Sequence, residues 1–402
     1  MKNLEVSIDS NKLISVLTSW AFILSFPISY IANLTFLFDG REVIKSPLLL
    51  KIPVYLCLFW LYWRKFFNGA FSANTKLHLL IWIFLTSIFF SICFGYFNSD
   101  FGDQWSILFY YFRAAFFFVI FFITGYFIQA SSINKRALLV LLLLMALLTF
   151  LRTDFNTYSL QFDGVFNAEL IGTYLYLGDA FAITSLFLLS ILKDRSLAFF
   201  IIIISAAVLF VVNSRASFYI YIFVVILGLA MSRQFVLFAA CVIPAAAFLV
   251  QILHGGIIGS AFMNRMTEYW VTGKDTSLDA RLDIQRVGYE HIREHPILGS
   301  LGGQIREFGD TGNYIHNIFS YWEEFGLINF VVLLIVLFCV WLWLIKAFLR
   351  YPETINKNLP FVLIFLFSFT ELVFVRSFVS PYIWLSFGMF LRIIDGELKG
   401  SK

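Results

Sequence analysis

INFVVLLIVLFCVWLWLI, Ile328–Ile345, is a run of eighteen residues without a charge. As a helix it would rise about 27 Å, close to the ~30 Å hydrocarbon thickness of a bilayer. Directly before it stands GNYIHNIFSYWEEFGL, Gly312–Leu327, which gathers His316, Asn317, Glu323 and Glu324 at the edge of an apolar span. The first segment decides the fold class, and the second asks what polar chemistry belongs at a membrane boundary.

The rest of the chain agrees with the apolar segment. Hydrophobic residues make up 60% of the 402, 51 are Phe and only 13% are charged; the mean hydropathy is +0.84. That composition excludes an ordinary soluble globule. About twelve stretches are long and apolar enough to span: 13–31, 47–63, 77–97, 105–129, 136–151, 168–192, 197–212, 216–232, 235–253, 328–346, 359–376 and 378–393. Asn213–Arg215 reads either as a turn between two of these or as a break within one. Without water in the hydrocarbon, backbone groups must be satisfied internally, so helices are expected. The chain is read as an all-α, polytopic integral membrane protein. Residues 1–253 carry nine transmembrane helices, 254–327 form one large exterior loop with two short helices, and 328–402 carry three more helices and a cytoplasmic tail.

Orientation follows from Lys and Arg in the short loops. With Lys2 and Lys12 cytoplasmic, the even-numbered helices end at Arg64/Lys65/Lys76, Lys135/Arg136, Lys193/Arg195, Arg233, Lys346/Arg350/Lys357 and Arg392/Lys399/Lys402. The opposite loops hold few basic residues, so both termini are expected in the cytoplasm. The net charge of +4 is then a topology signal, and no nucleic-acid partner is needed. No cleavable signal peptide is evident. The four cysteines fall within expected spans without CxxC spacing, which points to packing rather than metal or redox work.

The loop places six basic residues outside: Arg265, Lys274, Arg281, Arg286, Arg293 and Arg306. A solvated surface loop is one reading, since long loops translocate largely regardless of charge. A helix is expected from about Ser277 to Glu294, opened by a Thr276/Asp279 capping box and closed by Pro296 and Gly299. Leu282, Gln285, Tyr289 and Ile292 share one face of it. Asp275, Asp279 and Asp283 recur every four residues; they read as a solvated stripe, lacking the Gly-containing turn of a Ca²⁺ loop. A second helix is expected from Asn313 as N-cap, putting His316 in its first turn with Ser320 and Glu324 on the same face. A helix N-terminus disfavours imidazolium, so His316 would be a neutral acceptor; a histidine merely satisfied at a helix start is the alternative.

Charges inside the spans are functional candidates by default. Arg113, Asp179, Arg215, Glu371 and Arg376 fall in the outer half of the expected membrane, and structural pairing of Arg113 with Asp179 and of Arg376 with Glu371 is the competing reading. Several guanidiniums at a membrane boundary suit a phosphate or pyrophosphate, which they bind bidentately while staying charged. A histidine beside them could take the proton of an incoming hydroxyl. No nucleotide-binding loop, HExxH, GxSxG or DxD motif is present.

Three segments, in order, resemble the bacterial O-antigen polymerase and O-antigen ligase superfamily. They are NSRAS (Asn213–Ser217), ARLDIQRVGYEHIREHPILGSLGG (Ala280–Gly303) and YIHNIFSYWEEFGLINF (Tyr314–Phe330). Ala216 stands where many members have Gly. The resemblance implies a GT-C-like membrane glycosyltransferase of the bacterial inner membrane, active on the periplasmic face, with no metal, nucleotide or other cofactor. An undecaprenyl-pyrophosphate-linked oligosaccharide would be moved to an acceptor sugar hydroxyl. It further implies that Arg215 and Arg281 bind the donor pyrophosphate and that His316 activates or orients the acceptor. Arg376, Arg113, Asn317, Arg286 and Glu324 are expected as further substrate-binding groups. A polymerase is favoured over a ligase that moves the finished chain to lipid A–core. Membrane lipids and a chain-length regulator are the partners expected of it. A twelve-helix transporter or lipid-linked-sugar flippase is the rival from another class; against it, only KDRS links the sixth and seventh stretches, and no paired broken helices appear in two halves.

Overall fold

The computed structural model describes residues 10–38, 46–67, 75–98, 105–154, 159–160, 168–212, 214–234, 239, 276–309 and 313–400. Helices α1 (Ser10–Ile23) and α2 (Ser29–Phe38) are joined by a π turn, Leu24–Ile28. Pro27 lies in that turn and has no amide hydrogen to give. The Ser29 hydroxyl donates to Leu24 O at 2.7 Å, a side-chain hydrogen bond back across the wide turn. There follow α3 (Ser46–Phe67), α4 (Thr75–Asn98), α5 (Trp105–Phe127), α6 (Lys135–Leu151), α7 (Ala168–Ile191), α8 (Arg195–Val211) and α9 (Arg215–Met231). Then come α10 (Thr276–Glu294), the short α11 (Gly303–Phe308), α12 (Ser320–Arg350), the short α13 (Pro352–Lys357), α14 (Leu359–Phe374) and α15 (Tyr382–Gly400). A two-residue antiparallel pair, Thr153–Asp154 with Ser159–Leu160, is the one strand pairing among the described residues.

Eleven of the expected apolar stretches coincide with helices; the ninth, 235–253, lies outside the described residues except for 239. Among the described residues five segments are long and apolar enough to cross a membrane: Lys12–Thr35, Leu77–Phe97, Trp105–Phe127, Tyr174–Ile191 and Ser320–Arg350. Arg195–Val211, Arg215–Met231 and Leu359–Phe374 are equally apolar but shorter. Large apolar side chains stand on the outside of these helices, with Phe90 69%, Phe109 69% and Phe338 62% exposed. An outer surface of that kind is stable in lipid and costly in water. The molecule is an α-helical membrane protein.

Helices α5 and α15 form the centre. A Cβ on Gly125 would collide with Leu385 O, and one on Gly388 with Phe122 O, so the two backbones meet directly. Small residues permit such approach where lipid tails supply no hydrophobic drive between helices. Around this seam Trp384 is fully buried, its ring 5.1 Å from Phe84 and 5.2 Å from Phe118.

The segment between α9 and α12 departs from expectation at its second helix. The helix expected from Asn313 begins only at Ser320. Ile315 is fully buried against Gly288 of α10, and the Asn317 side chain accepts the amide of Phe319 at 2.9 Å. Those two anchors hold 313–319 as bends and turns, so His316 shares no helical face with Ser320 and Glu324. The face of α10 turned inward is marked by Gly288 and Ile292; Leu282 and Tyr289 are 53% and 39% exposed. A missing side chain, not an apolar one, receives Ile315. Next to the expected boundary at 327/328, α12 is broken at Gly326, where φ is 81° and ψ 173°. Glycine alone adopts that conformation freely, and a Cβ would also strike Ile297 O.

Candidate functional site

The break at Gly326 is where the segment between α9 and α12 is tied to the bundle. Leu327 N donates to Pro296 O and Ile297 O, both at 3.1 Å, and Ser300 N donates to Glu323 O at 2.6 Å. Trp322 Nε1 donates to Pro296 O at 2.8 Å. The two adjacent glutamates complete the joint. Glu323, fully buried, faces His291 Nδ1 at 3.1 Å and accepts from Gln304 Nε2 at 3.1 Å. Glu324, 2% exposed, accepts from Gly302 N at 2.8 Å and from the Tyr111 hydroxyl at 2.7 Å. Expected as a substrate ligand, Glu324 instead binds the HPILGSLGG turn to α5, because its carboxylate points into the protein and is met there by two donors. Neither Glu323–His291 nor Glu324–Tyr111 has a local sequence signal.

A second joint binds residues 375–380 to the start of α12. Phe378 N donates to Ser320 Oγ at 2.7 Å. The Phe378 ring stacks on Tyr111 at 5.6 Å and meets Tyr314 at 6.2 Å and Phe325 at 5.2 Å. Two residues earlier, Arg376 is turned the other way. Its Nε donates to Asp179 Oδ2 at 3.0 Å and its Nη2 to Asp179 Oδ1 at 2.6 Å, a bidentate fork. Glu371 Oε1 lies 3.6 Å from the same Nη2. The expected pairing of Arg113 with Asp179 is therefore overturned: α5 presents Arg113 on its exposed side, and Arg376 takes the carboxylate. Arg376 with Glu371 does form, as the secondary contact.

The same carboxylate reaches the NSRAS turn. Ser217 Oγ donates to Asp179 Oδ1 at 2.5 Å and pairs with Ser214 Oγ at 2.6 Å. Gly178 makes room, since a Cβ there would come within 2.6 Å of Ser214 Oγ. The turn reading of this segment holds: α8 ends at Val211 and Arg215 is the first residue of α9, partly buried beside the serine pair. Asn213 lies outside the described residues.

His316 is partly buried, its ring 5.0 Å from Tyr314, which in turn meets Phe378 of the second joint. Its pKa is pushed down to about 3, first by burial and then by the guanidiniums of Arg281 and Arg376. The imidazole is thus neutral, as the sequence argued, though charge and burial hold it so, not a helix N-terminus. The tertiary structure accordingly brings Arg281, His316 and Arg376 within electrostatic reach, at the end of the bundle where the Ser214–Ser217 turn also lies. Asn317 serves its own turn, Arg286 is exposed on α10 and Arg113 is exposed on α5. Sequence reasoning had marked Asp179 as an intramembrane charge; it did not reveal that Asp179 ties Arg376 to Ser217.

Of the acidic stripe, Asp275 and the side chain of Asp279 lie outside the described residues, and Asp283 is exposed. No group of three or more His, Cys, Asp or Glu suited to a metal ion occurs among the described residues. No family model matches the chain, and no curated protein is similar to it.

Proposed function

We propose that this chain is a membrane glycosyltransferase of the O-antigen polymerase kind. The donor is an undecaprenyl-pyrophosphate-linked oligosaccharide, and the acceptor is the terminal sugar hydroxyl of another lipid-linked repeat unit. The observation that carries this reading is the convergence of Arg281, His316 and Arg376 at one end of the apolar bundle, beside the turn that bears Arg215.

In this reaction the bond between the sugar's anomeric carbon and the pyrophosphate oxygen breaks, and a bond from that carbon to the acceptor oxygen forms. The acceptor's proton goes to the imidazole, the pyrophosphate leaves with the bonding electrons, and the guanidiniums stabilise its charge. The pyrophosphate is assigned to Arg215 and Arg281, as the resemblance implies, and Arg376, whose fork is given to Asp179, contributes its field. An imidazole with a pKa of about 3 is a weak base but a good hydrogen-bond acceptor. The donor's negative charge would offset Arg281 and raise that basicity, so that proton transfer depends on a loaded donor site. Positioning of the two substrates supplies the remainder.

The test is reconstitution of the purified protein in liposomes with undecaprenyl-pyrophosphate-linked repeat units, without metal or nucleotide, followed by electrophoresis of the products. A ladder of multiples is expected. Transfer only after lipid A–core is added would replace polymerase by ligase. No product in either case, with lipid crossing the bilayer, would replace catalysis by transport.

A further inference from the structure

The end of the bundle away from Arg376 carries a cleft of about 280 Å³ between the α7–α8 turn, the end of α9 and the start of α14. One helix length separates it from the proposed donor site: α9 runs from Arg215 beside that site to Met231 beside the cleft, about 24 Å at 1.5 Å per residue. Its walls include Ile202, Val225 and Leu363, which are 4–6% exposed. Lys193 and Arg195 also line it and are exposed. The carboxylate between them is engaged: Asp194 Oδ1 accepts from Ser196 N at 2.9 Å and Leu197 N at 3.2 Å as the N-cap of α8.

We infer that this cleft binds an anionic phospholipid, its phosphate held by Lys193 and Arg195 and the start of an acyl chain against Ile202, Val225 and Leu363. Two observations commit the occupant. The two cations at the cleft call for an anion, and buried aliphatic walls call for hydrocarbon, a combination that a phospholipid supplies and a free anion does not. A basic pocket between spanning helices, at the level where helices end, is the setting in which acidic headgroups are held. The inference does not depend on the catalytic reading, because none of these residues belongs to the Arg376 end.

The experiment is native mass spectrometry of the full chain, delipidated in mild detergent and offered phosphatidylglycerol or phosphatidylcholine. Wild type is expected to retain phosphatidylglycerol about tenfold to thirtyfold more strongly, from two cations worth roughly 1 kcal/mol each near a membrane surface. K193Q/R195Q, a surface change that leaves the apolar walls intact, should abolish that preference. Ala198→Leu, which narrows the cleft, should lower retention without altering the thermal midpoint. Equal retention of the two lipids by wild type, or an undiminished preference in K193Q/R195Q, would overturn the inference. Displacement of the lipid by excess inorganic phosphate would reassign the site to a free anion and equally overturn it.

Discussion

Two buried polar clusters lie at opposite ends of α15, and they are built on different principles. At the far end, Asp395 Oδ2 faces His78 Nε2 at 3.0 Å and accepts from the Tyr126 hydroxyl at 2.8 Å. The Tyr62 hydroxyl meets His78 Nδ1 at 3.2 Å and accepts from Trp82 Nε1 at 3.2 Å. Every member is a side chain of a helix, and aromatic rings enclose the group: Tyr62 lies against Phe122 and Phe127 at 5.9 Å. At the near end, Asp179 and Glu371 hold Arg376, while Arg215, Arg281 and His316 stay only partly buried. The first cluster uses its donors and acceptors to clamp α3, α4, α5 and α15. The second concentrates positive charge where a segment outside the helices closes over it. Buried polarity therefore serves two purposes in one membrane protein, and incomplete burial around a meeting of several guanidiniums separates the functional candidate from the clamp.

The comparison can be broken most forcefully at His316. His316→Ala should abolish chain extension, a loss of about 10²–10⁴-fold for removal of an acid–base group, with the thermal midpoint unchanged. Full extension by that variant would remove His316 from the mechanism and reduce the near cluster to structure. Asp179→Ala should cost about 3–5 kcal/mol of stability, because it leaves the Arg376 guanidinium buried without its fork partner; the readout is the denaturant midpoint in detergent. A midpoint unchanged from wild type would mean that Glu371 alone suffices.

Asp395→Asn tests the other end. It should lower stability by about 1–3 kcal/mol through lost hydrogen bonding and leave donor binding untouched. A weakened donor affinity in Asp395→Asn would show that the two ends are coupled and sink the division drawn between them. Arg281→Lys should weaken donor binding by about tenfold, since an ammonium keeps the charge but loses the fork; isothermal titration with the lipid-linked donor measures it, and unchanged affinity would detach Arg281 from the pyrophosphate.

The smallest effect is an absence. A histidine whose pKa is lowered to about 3 remains neutral as pH falls through the usual value near 6.5. Activity that needs the neutral imidazole is therefore kept, not lost, between pH 8 and 5. The profile of kcat/KM, which reports free protein, should show no His316 inflection there. A limb with a midpoint near 6.5 that vanishes in His316→Ala would contradict the burial and charge described here.

Much of the fold was legible from the sequence because membrane helices are a one-dimensional property. A run such as Ile328–Ile345 must be helical in hydrocarbon whatever its neighbours do. Candidate charges were legible for the same reason, since Asp179 and Arg376 are conspicuous in apolar runs. Partners were not. Asp179 chooses Arg376 across 197 positions rather than Arg113, and a helix face cannot be told from sequence when both sides are apolar, one towards protein and the other towards lipid. The start of α12 was misplaced because its determinants are distant: Ile315 is drawn into the notch over Gly288, and Asn317 turns the chain before Ser320.

The sequence by itself determined that this chain is built of apolar helices with a few charges set conspicuously within or beside apolar runs. Composition and length decide that, because the solvent permits no other backbone. Only the tertiary structure decided which carboxylate meets which guanidinium, that Glu323 and Glu324 bind the segment between α9 and α12 to the bundle, and that His316 is held neutral beside Arg281 and Arg376. Those outcomes depend on long-range contacts and on the electrostatics of a buried site, which exist only after the helices have packed.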